Sequence, residues 1–149
     1  MKLEAEIKQK KFRNEYHKLA VNIIYSCSWL QNYHKMIFDK FDLTSNQFNI
    51  LRILRGQYPE PASINLLKER MLDRMSDASR LVDRLVKKEL VERTHSKEDR
   101  RKVNVIITKK GLALLKEIDK LNDEFDSIFK HINKKEAKII NDLLDKMRG

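Results

Sequence analysis

A single cysteine, Cys27, two prolines and three glycines stand in a chain of 149 residues. One thiol closes no intrachain disulfide, so a reducing compartment is the expectation. So little Gly and Pro argues against both disorder and a β-rich architecture. Aromatics make up only 7% of the residues, which does not suggest a base-stacking platform. No apolar run approaches the roughly 20 residues that span a bilayer. The first residues, MKLEAEIKQKK, are charged and helix-forming rather than an apolar export signal. A cytoplasmic protein with no membrane partner is expected. His17, His34, His95 and His131 are far apart, and no second cysteine completes a structural zinc site. No Gly-rich phosphate loop, nucleophile elbow or carboxylate dyad is present. The chain is therefore not expected to be an enzyme or to hold a metal or cofactor.

What the chain has in excess is positive charge. Lys and Arg number 32 against 22 Asp and Glu, a formal net charge of +10. Such a balance favours a polyanionic partner. The surplus is local. Residues 68–110 hold 14 Lys and Arg against 8 Asp and Glu, so over half of the net charge falls in one stretch. Hydrophobic content is 41%, enough for a core. The length suits one domain, or one domain with a dimerisation extension.

From Leu3 to Phe41 no Gly or Pro interrupts the chain, and Tyr16, Leu19, Ala20, Ile23, Ile24, Cys27 and Leu30 recur at helical steps. One or two amphipathic helices follow, too long for one small core to cover. Part of their stripe should meet another chain. Thr44 and Gln47 form a capping box for the next helix, with Leu43 and Phe48 as its staple and an end near Gly56 and Pro59. A short helix spans Leu66 to about Leu72, with Ser63 or Asn65 as its cap. After a brief turn, a further helix runs from about Met75 to Lys88. Leu90–Thr94 and Val103–Ile107 read as strands. The polar stretch between them, His95–Lys102, makes a wing. A helix pair alone is usually a core hairpin; a helix pair followed by a wing points to a winged helix-turn-helix.

Along the helix from Met75, Ala78, Leu81, Val82 and Leu85 share one face. Ser76, Arg80, Asp83 and Lys87 lie opposite, with Asp77, Ser79 and Arg84 on the flanks. Short hydroxyls fit close to base edges or phosphates, and Arg reads guanine bidentately in the major groove. The expected recognition set is Met75, Ser76, Asp77, Ser79, Arg80 and Arg84. The expected wing set is Lys97, Asp99, Arg100, Arg101 and Lys102, with an arginine available for the narrow minor groove and Asp99 as the local partner that orients Arg101. Asp77 and Asp83 oppose this reading, because carboxylates repel phosphates. Beyond the wing, Thr108 caps a long helix in which Leu114, Ile118, Leu121, Phe125, Ile128 and Ile132 step by 4 and 3, a seam for another helix. Asn133 and Glu136 cap a final helix with Ala137, Ile140, Leu143, Leu144 and Met147 on its apolar face.

These residues resemble the MarR (multiple antibiotic resistance regulator) family. The likeness is carried by Leu43-Thr44-x-x-Gln47-Phe48, by Ser79-Arg80-Leu81-Val82-Asp83-Arg84-Leu85, by Leu90-Val91-Glu92-Arg93, and by Asp99-Arg100-Arg101 with Ile107-Thr108-x-x-Gly111. The resemblance implies a mainly α fold with a small β-wing, a winged helix-turn-helix in the order helix, helix, strand, helix, helix, strand, strand, helix, helix. It implies a homodimer, with residues 1–42 as an N-terminal dimerisation helix region, 43–110 as the DNA-binding lobe and 111–149 as C-terminal dimerisation helices. Tyr16, Leu19, Leu121, Phe125, Ile128, Ile140 and Leu144 are the residues expected at the dimer contact. It further implies a regulator of transcription, often a repressor, that binds pseudo-palindromic double-stranded operator DNA and is released by a small aromatic or phenolic effector. The alternative is a winged-helix protein–protein module that has lost DNA binding, favoured by Asp77 and Glu89.

Two positions depart from the family pattern. Glu89 stands where many members carry Gly; if its φ is positive, the non-Gly residue costs on the order of 1 kcal/mol. The sensor cysteine of thiol-sensing members would fall near Ala20, whereas Cys27 sits on the apolar stripe. Cys27 is expected to be a buried structural residue.

Overall fold

The computed structural model describes residues 1–95, 99 and 102–149. The chain divides into two compact units, Met1–Asp42 and Leu43–Gly149.

In the first unit a short helix α1 (Leu3–Glu6) precedes the long α2 (Glu15–Phe38), which ends in a 3-10 turn over Asp39–Phe41. Asn14 caps α2 by accepting the His17 amide at 2.9 Å. The residues before α2 fold back along it. Lys18 pairs with Glu4, and the Tyr25 hydroxyl donates to Glu6 at 2.7 Å. The shared hydrogen bond holds the Glu4 carboxyl below its ordinary range and Lys18 above its own. Lys18 and Tyr25, seven residues apart, lie on one face of the helix. Tyr16, Ile24 and Cys27 lie on the other side and are exposed. Cys27 is therefore not the buried structural thiol expected. The N-terminal fold-back covers the opposite face, and no described residue of this unit covers this one.

In the second unit α3 (Ser45–Gln57) opens with the expected capping box: the Thr44 hydroxyl accepts the Gln47 amide at 3.1 Å and the Gln47 side chain accepts the Thr44 amide at 3.0 Å. Gly56 lies inside this helix rather than ending it. Strand β1 (Ala62–Ser63) runs directly into α4 (Ile64–Arg70), whose cap is Ser63. Next come α5 (Ala78–Lys87), β2 (Val91–His95) and β3 (Val103–Ile107). The sheet order is β1-β3-β2, all antiparallel, with Ala62 opposite Val105 and Val91 opposite Ile107. Ile50, Leu51 and Leu54 of α3, Leu67 of α4, Val82 and Leu85 of α5, and Val91 and Val105 of the sheet are buried together with Leu115 and Ile118. The fold is a mainly α winged helix-turn-helix, as expected.

The last two residues of that core lie on α6 (Lys109–Asp119), capped by Thr108. Its glycine is dictated by packing. A Cβ on Gly111 would stand 2.4 Å from the Leu90 carbonyl oxygen and 2.7 Å from Ile107 Cγ1. Arg55 of α3 grips Asp119 of α6 with two bonds of 2.6 and 3.2 Å. The single long helix expected after Thr108 is broken. Lys120 and Leu121 bond back only three residues, to Glu117 and Ile118, and the chain restarts as α7 (Asn122–Ser127). Asn122 and Asp123 disfavour a helix interior, while acids at Asp123 and Glu124 suit a helix start. The final helix α8 (Lys134–Arg148) has the expected Asn133–Glu136 capping box, and none of its residues is buried.

Candidate nucleic-acid interface

The site is built on the start of α5. Ala78, Val82 and Leu85 fix the helix to the core with no exposed surface. Ser79 is half-buried at the rim, while Arg80, Asp83, Arg84 and Lys87 face outward. The spacing predicts a start near Met75, but the helix begins at Ala78. Asp77 is the reason: its side chain accepts the Arg80 amide at 3.1 Å, so Asp77 is a cap and its charge is committed to the helix N-terminus. Met75 and Ser76 consequently lie in the turn before the helix.

That turn is tied down by α3, a feature the sequence reading missed. Ser76 donates to Asp73 at 2.6 Å and accepts from Asn46 at 2.7 Å, and Asn46 also donates to Asp73 at 3.2 Å. Asp73 accepts the Met75 amide at 3.0 Å, and Asn49 accepts the Leu72 amide at 2.9 Å. The Ser76 hydroxyl, expected opposite the apolar face, is thus spent inside the turn. These bonds to Ser76, Met75 and Asn46 hold the Asp73 carboxyl below its ordinary range. Two asparagines three residues apart on α3 are the sequence signal of this tie.

On the wing side, Arg93 of β2 pairs with Asp83 of α5. Asp83, one of the two acids that stood against a nucleic-acid face, is therefore matched by a cation. Asp99 and Lys102 are joined by a bond of 2.9 Å from the Lys102 amide to the Asp99 carbonyl, and the Lys102 side chain is exposed. Lys97, Arg100 and Arg101 lie outside the described residues. Between α4, α5 and the wing strands opens a groove of about 550 Å³, lined by Ser63, Ile64, Asn65, Ser79, Arg93, Lys102 and Val103. Two cations, two hydroxyls and an amide at one concave wall suit a polyanion backbone. Of its polar residues, the spacing pointed only to Ser79 and Lys102.

Glu89 has a φ of 59°, the left-handed conformation that a glycine would adopt without strain. Its carboxylate meets Lys110 at 3.1 Å, so this acid too has a cation beside it. Among the described residues no group of three or more His, Cys, Asp or Glu could hold a metal, and no helix is long and apolar enough to cross a membrane.

The residues expected at a dimer contact are distributed unevenly. Tyr16 is 82% exposed and Leu19 46% on α2, and Ile140 is 44% exposed on α8. Leu144 is half-buried, as are Leu121, Phe125 and Ile128 around α7. Phe125 stacks on Phe48 of α3 with centroids 6.4 Å apart, so part of the predicted seam is used inside the chain.

Residues 43–103 match the model of the MarR family. The uncharacterized HTH-type transcriptional regulator YpoP of Bacillus subtilis (strain 168) is 33% identical over 96 residues, which are 64% of this chain and 66% of that protein. Residues 43–103 thus form a MarR-family domain. The fold of the chain is similar to that of Bordetella bronchiseptica BpsR, whose DNA binding is regulated by 6-hydroxynicotinic acid. The identity is 25%, the TM-score 0.75, and the match covers 89% of this chain and 99% of that one. A mutant E. coli MarR complexed with operator DNA shares the fold at 24% identity with a TM-score of 0.80, covering 93% of this chain and 99% of that one. The similarity of fold therefore extends well beyond residues 43–103.

Proposed function

We propose that this chain is a dimeric, cytoplasmic transcriptional regulator that binds pseudo-palindromic double-stranded DNA. In this reading α5 enters the major groove with Ser79, Arg80 and Arg84, and the wing residues Lys97, Asp99, Arg100, Arg101 and Lys102 lie along the adjacent minor groove. The observation that carries it is the groove between α4, α5 and the wing, where Arg93 and Lys102 stand beside Ser63 and Ser79. Asp77 and Glu89, the features that favoured a protein–protein module, have structural roles as a helix cap and as a partner of Lys110.

Dimerisation is supported by the uncovered apolar faces of α2 and α8. Tyr16, Ile24, Ile139 and Leu143 are each more than half exposed in the single chain. Two copies would bury them and set two α5 helices on successive turns of the duplex. The output is repression, relieved by a small aromatic or phenolic effector. BpsR, whose DNA binding responds to a hydroxylated aromatic acid, supports that class of ligand.

The test is an electrophoretic shift with promoter DNA from the chain's own operon, followed by selection of bound sequences from a random pool. Binding should fall steeply with salt, by about 0.9 in log affinity per log salt for each phosphate neutralised. Arg101→Ala should weaken binding without unfolding the protein. Failure to enrich any sequence at low salt overturns the reading. Thermal shift against phenolic and other aromatic acids tests the effector.

A further inference from the structure

Leu72 and Met75 are the most exposed hydrophobic side chains of the second unit, at 89% and 93%. They sit in the turn between α4 and α5, separate from the apolar face of α8. Their exposure does not come from a loose segment. The Leu72 amide is held by Asn49 at 2.9 Å and the Met75 amide by Asp73 at 3.0 Å. Asn46 and Ser76 complete the same network from both sides. The backbone is pinned to α3, and the two apolar side chains are presented outward in a fixed place. Arg74 lies exposed between them, and Arg80 follows on the first turn of α5. The two carboxylates nearby are exposed but committed to hydrogen bonds, Asp73 to Ser76 in the turn and Asp77 to the helix cap.

A protein partner for so small an apolar pair would have to accept the surrounding cations. A DNA major groove satisfies both, because phosphates meet the arginines while each thymine displays an apolar 5-methyl group among the base edges. We infer that Leu72 and Met75 are specificity-determining residues that contact thymine 5-methyl groups at the outer part of each half-site. This rests on the DNA-binding reading. Polar contacts from Ser79 and Arg80 and apolar contacts from the turn would then read neighbouring base pairs. The network around Asp73 keeps the turn from reorganising on binding.

The experiment uses the full-length protein and the sequence enriched from a random pool. Each thymine in turn is replaced by deoxyuridine, which removes the 5-methyl and leaves base pairing intact. At one or two thymines per half-site, wild-type affinity should drop about fourfold per methyl, the value expected for one buried methyl-sized group. Met75→Ala or Leu72→Ala should bind the thymine site more weakly and lose most of that discrimination. Both side chains are exposed, and an unchanged melting curve checks that the variants are folded. Equal wild-type affinity for thymine and deoxyuridine at every position overturns the inference while leaving DNA binding intact. So does a deoxyuridine penalty that persists undiminished in both variants. A pool that yields no enriched sequence overturns the DNA-binding reading, and this inference with it.

Discussion

Thr108 donates its hydroxyl to the carbonyl of Glu89 at 2.8 Å, and so holds a left-handed residue at the end of α5 against the start of α6. The same hydroxyl accepts the Gly111 amide at 3.0 Å, and the Thr108 amide donates to the Leu90 carbonyl at 3.1 Å. One residue thus joins the end of α5, the start of β2 and the start of α6. An L-residue in the left-handed region costs about 1–2 kcal/mol. The exposed Glu89–Lys110 pair returns at most about 1 kcal/mol. Glu89→Gly should therefore raise stability by about 0.5–1 kcal/mol, read from the midpoint of urea unfolding. Thr108→Ala should lower it by about 0.5–2 kcal/mol through loss of the cap. A lower midpoint for Glu89→Gly would show that the ion pair outweighs the strain.

Gly111→Ala should destabilise by about 1–3 kcal/mol or more, because the added methyl meets backbone at Leu90 and a buried Ile107 side chain. Gly56→Ala is the control. No atom lies within 4 Å of its added Cβ, and it sits inside a helix, so a gain of about 0.5–1 kcal/mol is expected. Comparable losses at both positions would show that close packing is not what selects Gly111.

Arg93 and Arg80 should separate in binding assays. Arg93 lines the groove and is held by Asp83, a geometry suited to a phosphate. Arg93→Ala should weaken binding by a similar factor on every sequence and reduce the salt slope by about one. Arg80→Ala should instead relax base preference at one position of the selected site. If Arg80→Ala weakens all sequences equally, Arg80 is a phosphate contact and the recognition register is different.

Acid should loosen the turn before α5. The folded-state carboxyl of Asp73 lies below its ordinary range, with its bond to Ser76 as the main cause. A depressed carboxyl contributes its full stabilisation above the unfolded value and loses it as pH falls through the folded value. The stability advantage of wild type over Asp73→Asn should hold at neutral pH and shrink in acid. A difference that stays constant down to strongly acidic pH would show that the charge on Asp73 is irrelevant. The group is solvent-accessible, so salt should reduce the effect.

Ile140→Asp should convert the dimer to monomer in sedimentation, since it places a charge on a helix that has no buried residue of its own. Operator affinity should fall with it, because two linked half-sites become two separate ones. A dimer that survives this change and Leu143→Asp would remove α8 from the contact.

Local physics made much of this chain legible from its order of residues. Capping chemistry acts over three or four positions, so Thr44–Gln47, Thr108–Gly111 and Asn133–Glu136 announced three helix starts without tertiary information. Alternating β-branched residues announced the wing strands for the same reason. Helix ends were less visible where tertiary bonds competed. The spacing puts the start of α5 at Met75, but Asp73 withdraws Met75 and Ser76 into a turn anchored on Asn46, 27 residues away from Asp73. No periodicity contains that contact.

Residue order alone carries the class of fold and the concentration of positive charge between residues 68 and 110, because these follow from composition, spacing and short-range hydrogen bonding. Tertiary structure alone decided which charges are free to meet a partner. Asp77 is consumed as a cap, Asp83 is matched by Arg93 ten residues later, and Glu89 is met by Lys110 across the start of α6. It likewise left Cys27 exposed and Leu72 and Met75 outward on a pinned turn. The physical reason is common to all of them. A side chain's neighbours across space set its hydration and its pairing, and a linear pattern records only its neighbours along the chain.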